Sequence, residues 1–67
     1  MRNPDRIPVM LEYLEKLWIQ YPDLRLGQLM WFISGCDPFF FEMDEFLRFM
    51  ESKNIEVNWD DIPENFI

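Results

Sequence analysis

Three runs of apolar residues spaced three and four apart constrain this chain more than any other feature, because each run can hide its stripe only against the others. The first predicts a helix from about Asp5 to Tyr21. Ile7, Met10, Leu14, Leu17 and Tyr21 line one face, and Leu11 and Trp18 widen it. Glu12, Glu15, Lys16 and Gln20 fall away from that face. Two starts compete. An Asn3 cap puts Pro4 at the first helical position, but it leaves Pro8 without an intrahelical bond and crowding the turn behind it. An Asp5 cap keeps Pro8 inside the first turn, where its missing N–H costs little. The Asp5 cap is the preferred reading.

Pro22 and Asp23 end that helix, with Asp23 a candidate N-cap for the next. Leu26, Leu29, Met30 and Ile33 form the second stripe. Trp31 and Phe32 make this helix apolar over much of its circumference, which predicts a buried central element. Gly27 costs roughly 1 kcal/mol relative to Ala in a helix, so its presence predicts another backbone close by. Gly35 fits the left-handed position past the helix end. Cys36-Asp37-Pro38 reads as a turn. A third helix follows from about Glu42 to Lys53, with Met43, Phe46, Leu47 and Met50 on one face. Glu42, Asp44 and Glu45 crowd its N-terminus, where the helix dipole favours negative charge, and Asn54 can stop it.

After Asn54 the period changes. Ile55, Val57 and Trp59 alternate with Glu56, Asn58 and Asp60, which is the period of a strand. A single strand finds no partner within the chain. It can pack as an extended arm, pair with a symmetry mate, or add to a sheet on another protein. The expected architecture is mainly α: a compact three-helix domain over residues 1–54, with an extended acidic segment over 55–67 packed on it or on a partner.

Sixty-seven residues supply one core, and folding at this size hides only about 60% of the surface of the unfolded chain. Seven Phe, three Trp and two Tyr must find places in it. That surplus predicts either a self-association surface, giving a homodimer, or an aromatic patch for another partner. Charge is divided unevenly. Residues 1–33 carry four basic and four acidic side chains; residues 34–67 carry two against nine, which accounts for the net charge of −7. Such a surface repels phosphate and disfavours nucleic acid as a direct partner. One cysteine allows no intrachain disulfide. No apolar run of signal-peptide type follows the opening Met-Arg-Asn-Pro-Asp-Arg, and no stretch approaches the ~20 apolar residues of a membrane span. A soluble cytoplasmic protein with no membrane partner is expected.

Catalysis is not expected. The chain has no His, the commonest general base and transition-metal ligand. Cys36 without a His lacks the base of a thiol nucleophile and reads as a turn or core residue. Asp37, Glu42, Asp44 and Glu45 place four carboxylates in nine residues, but a calcium loop needs acids at alternate positions around a central Gly. Here Pro38 and three Phe fill the interior, so helix capping and solubility explain the acids. The two glycines stand alone and make no phosphate loop. No metal and no cofactor are expected.

The candidate partner-binding residues are Phe39, Phe40, Phe41, Trp59, Asp60, Asp61, Glu56 and Glu64. Three consecutive Phe cannot all face one core. Either two are buried and one is exposed, or one or two anchor an interface, since desolvated aromatics dominate binding hot spots. The four acids surround Trp59 and Phe66. They form either a solvated tail or an arm that engages a basic groove, with Trp59 as anchor and the charges steering encounter.

Arg-Asn-Pro-Asp-Arg-Ile at 2–7, Tyr-Pro-Asp-Leu-Arg-Leu-Gly-Gln-Leu at 21–29 and Asp-Pro-Phe-Phe at 37–40 resemble a group of short bacterial and phage hypothetical proteins. The resemblance covers residues 2–50 and implies a prokaryotic or phage setting. On this reading Arg25 is expected to pair with an acid such as Asp37 and fix helix packing. Together, size, charge and missing catalytic groups lead to the expectation of a small acidic inhibitor or adaptor that blocks a basic site on a larger protein. A structural or regulatory homo-oligomer is the alternative.

Overall fold

The computed structural model describes residues 2–35 and 37–66, so the role expected of Cys36 lies outside it. The chain folds as a compact, mainly helical protein with three helices: α1 Arg6–Gln20, α2 Leu26–Ser34 and α3 Met43–Ser52. Two short 3-10 turns, Pro38–Phe40 and Trp59–Asp61, complete it, and no strand forms among the described residues.

The entry to α1 combines both expected starts. Asp5 occupies the N-cap position, but its side chain caps nothing. Asn3 does the bonding instead: its Oδ1 accepts the Asp5 amide at 2.9 Å, and its backbone oxygen accepts the Arg6 amide at 3.2 Å. Pro8 then falls at the third helical residue, where no intrahelical donor is lost. The buried face of α1 centres on Tyr13 and Leu17, with Met10, Leu14 and Tyr21 packed beside them. Ile7 and Leu11, both expected on that face, lie exposed. The helix carries apolar residues on two sides, and the packed side is the one that includes Tyr13.

Helix α2 begins later than expected, because Tyr21 to Leu24 close a turn of their own through the Leu24 amide and the Tyr21 carbonyl, 3.2 Å apart. Arg25, not Asp23, is the N-cap residue; its amide donates to Oε1 of Gln28 at 2.8 Å, and its carbonyl accepts from the Leu29 amide at 2.9 Å. The bond from Gln28 is the reaching-back half of a capping box. The expected Arg25–Asp37 pair does not form; the ion pair between described residues joins Arg2 to Glu42 at 2.9 Å. Helix α2 is also not the central element. Leu29 and Ile33 are buried, whereas Leu26 and Trp31 face outward. A Cβ added at Gly27 meets nothing within 4 Å, so no backbone approaches there. Gly35 adopts the left-handed conformation, φ 73°, and its amide bonds the Trp31 carbonyl at 2.8 Å.

The central element is α3. Met43, Phe46, Leu47 and Met50 are all buried, the last three with no exposure at all. Its charged residues lie on the remaining faces, so one side of ten residues supplies four of the ten core side chains. Beyond Ser52 the backbone turns back on itself. Asn54 takes a left-handed φ of 63°, its amide donates to the Glu51 carbonyl at 3.1 Å, and the Ile55 amide donates to the Met50 carbonyl at 3.0 Å. These two bonds define a Schellman motif, which brings the residue after the turn against the last helical turn. Ile55 and Met50 are accordingly both core residues.

Residues 55–66 pack on the helices. Ile55 and Val57 are buried, and Ile62 and Phe66 rest against the core. The period-two pattern thus reports inward and outward alternation of a short extended stretch, not a strand. The Asn3 amide donates to the Asn65 carbonyl at 2.9 Å and joins the two ends of the described chain. A second seam is aromatic: Phe32 of α2 makes edge contacts with Tyr21 at 5.0 Å and with Phe49 of α3 at 5.4 Å. Lys53 sets its ammonium 5.1 Å from the Phe32 ring and 5.4 Å from the Phe49 ring, a doubled cation–π contact.

Two substitutions test this arrangement by urea denaturation. Gly27→Ala meets open space and raises stability by roughly 0.5 kcal/mol; a backbone packed against Gly27 would reverse the sign. Leu47→Ala removes a fully buried side chain from the central helix and lowers stability by about 2–5 kcal/mol.

Candidate partner-binding surface

The turn Pro38–Phe40 presents the aromatic pair. Asp37 accepts the Phe39 amide on its Oδ1 at 3.1 Å, Pro38 supplies the fixed φ at the first position, and the Phe41 amide closes the turn on the Pro38 carbonyl at 3.0 Å. The 3-10 turn itself holds Pro38, Phe39 and Phe40; Phe41 follows it as the C-cap in an extended conformation and packs against the core. Phe39 and Phe40 are 80% and 85% exposed, with ring centroids 4.8 Å apart in an edge arrangement. Of the two expectations for this triplet, two buried and one exposed gives way to one packed and two exposed. Between them the two rings leave on the order of 300 Å² of aromatic surface in water, the size of the largest apolar patch on many monomers.

The acidic segment is ordered by polar contacts of its own. Asn58 is the hub: its amide donates to the Tyr13 hydroxyl at 3.0 Å, its Oδ1 accepts the Asp60 amide at 3.2 Å, and its Nδ2 donates to Oδ2 of Asp61 at 2.8 Å. Trp59 is 41% exposed and its indole N–H donates to Oε2 of Glu51 at 3.1 Å, which ties it to α3. Asp60, Glu56 and Glu64 all face solvent.

The expected site residues therefore fall into two groups. Phe39 and Phe40 share one turn beside α2. Glu56 and Asp61 share a shallow polar groove with Glu12, Tyr13 and Lys16 of α1. Phe41 belongs to the core margin, and no ring contact joins Trp59 to the Phe pair among the described residues. Glu12 and Lys16 were not singled out in the sequence, because nothing in a helical period announces which segment will lie across its polar face.

Among the described residues no group of three His, Cys, Asp or Glu side chains is placed to hold a metal ion, and no helix is long and apolar enough to cross a membrane. What the described surface presents is the exposed Phe39–Phe40 pair and the solvent-facing carboxylates of Glu56, Asp60 and Glu64.

Tyr13→Phe deletes the acceptor of the Asn58 amide without changing the packed ring. It should lower stability by about 1 kcal/mol and speed amide exchange at Asn58 most of all, as read by hydrogen exchange. No known protein family, characterised protein or solved structure matches the chain.

Proposed function

We propose that this chain is a non-catalytic protein-binding module, an acidic inhibitor of phage or mobile-element origin that blocks a basic site on a larger nucleic-acid-processing or host-defence protein. The observation that carries this reading is the Phe39–Phe40 pair, the two most exposed large apolar side chains among the described residues, standing in the acidic half of the sequence. An aromatic pair of this kind gains most by entering a pocket that removes it from water. The net charge of −7, all of it in residues 34–67, favours a partner rich in Lys and Arg and accelerates the encounter. The prokaryotic setting rests on the motifs at 2–7, 21–29 and 37–40.

The test is capture from a prokaryotic lysate with stepwise salt elution, run in parallel on three proteins. The unaltered chain should retain one large partner that rising salt releases. Phe39→Ser with Phe40→Ser should lose it, and Asp60→Lys with Asp61→Lys should release it at lower salt. Recovery of the chain alone as a salt-resistant oligomer would overturn the inhibitor reading and favour self-assembly. Equal retention by both variants would also overturn it.

A further inference from the structure

Helix α1 has a second apolar edge, where Leu11 and Ile19 stand exposed beside Leu14 and Trp18 at the margin of the core. Leu11, Leu14, Trp18, Ile19 and Pro22 line an open groove of about 540 Å³ along it, with Leu11 57% and Ile19 69% exposed. The groove wall is fixed: the Trp18 indole N–H donates to the Leu24 carbonyl at 2.9 Å, so the ring cannot swing across the opening. One charge lies in the lining, Glu15, one helical turn after Leu11 and one before Ile19 on the same ridge. Its carboxylate makes no hydrogen bond or ion pair among the described residues. The neighbouring cation is turned elsewhere, since the Lys16 ammonium sits 5.1 Å over the Tyr13 ring.

We infer that this groove is a docking site for a basic amphipathic helix of another protein, whose apolar ridge fills the groove and whose Lys or Arg pairs with Glu15. Charge decides the occupant. A second copy of this chain would dock through a two-fold interface that presents the same patch from both sides. Because Glu15 lies midway along the groove, that interface would trap two carboxylates in an apolar seam, where like charges are strongly unfavourable. A cationic partner removes the same obstacle, and the net charge of −7 draws it in. From Leu11 to Ile19 the helix rises roughly 12 Å, which matches about two turns of a partner helix laid into the groove. The groove shares no residue with the Phe39–Phe40 turn or the acidic segment, so the inference stands independently of the proposed function.

Titration of the ¹⁵N-labelled chain with an 18-residue helical peptide of Leu and Lys, and with its counterpart carrying Gln for every Lys, tests this. The expected result is saturable shifts at Leu11, Glu15, Ile19 and the Trp18 indole, with the Lys peptide about tenfold tighter or more. Glu15→Lys should weaken the Lys peptide by about tenfold, and Leu11→Ser with Ile19→Ser should abolish saturable shifts. Phe39→Ser with Phe40→Ser should leave the affinity unchanged. These substitutions fall on exposed positions, and an unaltered helical circular dichroism spectrum verifies the fold. Shifts centred elsewhere, or equal affinity for the two peptides, would overturn the inference. So would α1 resonances that move with protein concentration before any peptide is added, because a second copy would then fill the groove.

Discussion

Burial of the single apolar face of α3 is the interaction on which the rest of the structure depends. Phe46, Leu47 and Met50 are removed from water completely, and α1, α2 and the C-terminal segment each contribute their own buried residues around them. At this chain length the hydrophobic surplus over conformational entropy is small, so one helix with its whole stripe buried carries a large share of it. The Schellman turn at Asn54 extends that burial. By returning Ile55 to Met50, it commits the backbone of the acidic segment to the core before any of its charged side chains are placed.

A core built this way takes one side of each helix and no more. Helices α1 and α2 are apolar over more of their circumference than three packed helices can cover, and the excess stays in water as Leu11, Ile19, Leu26 and Trp31. The 3-10 turn adds Phe39 and Phe40 for a separate reason: both lie outside the core, and the chain turns inward only at Phe41, in the extended backbone that follows. These surfaces therefore follow from geometry at fixed composition. Their electrostatic settings differ: the Phe pair stands in the acidic half, while the α1 groove lies in the half where charges balance and holds one carboxylate in its lining.

Polar contacts in this molecule act mainly at segment boundaries. Asn3, Gln28, Asp37 and Asn58 each satisfy a backbone amide where a helix or turn begins. Two of them also reach across the fold: Asn3 gives its own amide to the Asn65 carbonyl, and Asn58 gives its amide to Tyr13 of α1. That bond explains why Tyr13 lies on the buried side of α1 with a hydroxyl that is not orphaned. It also links the order of the acidic segment to the rotation of the first helix.

Much of this was legible in the sequence. The extent and face of α3, the stops at Gly35 and Asn54, and a mainly helical three-helix fold follow from the spacing of apolar residues and from the two side chains that tolerate a left-handed backbone. Local chemistry suffices there, because only one face of α3 is apolar and only one rotation can bury it. Tertiary structure decided what local chemistry left degenerate. Helix α1 offers two apolar sides, and the choice between them was made by the segment that docks against Tyr13, forty-five positions away. Helix α2 read as central because it is apolar, but centrality belongs to the helix whose neighbours can surround it. Residues 55–60 read as a strand because alternation at Ile55 and Val57 records which side is buried, not what the backbone bonds to; at Trp59, which is exposed, the pattern no longer does so. The exposed aromatic pair and the α1 groove exist for the same reason: the sequence fixes how much apolar surface the chain owns, and only packing fixes which part remains outside.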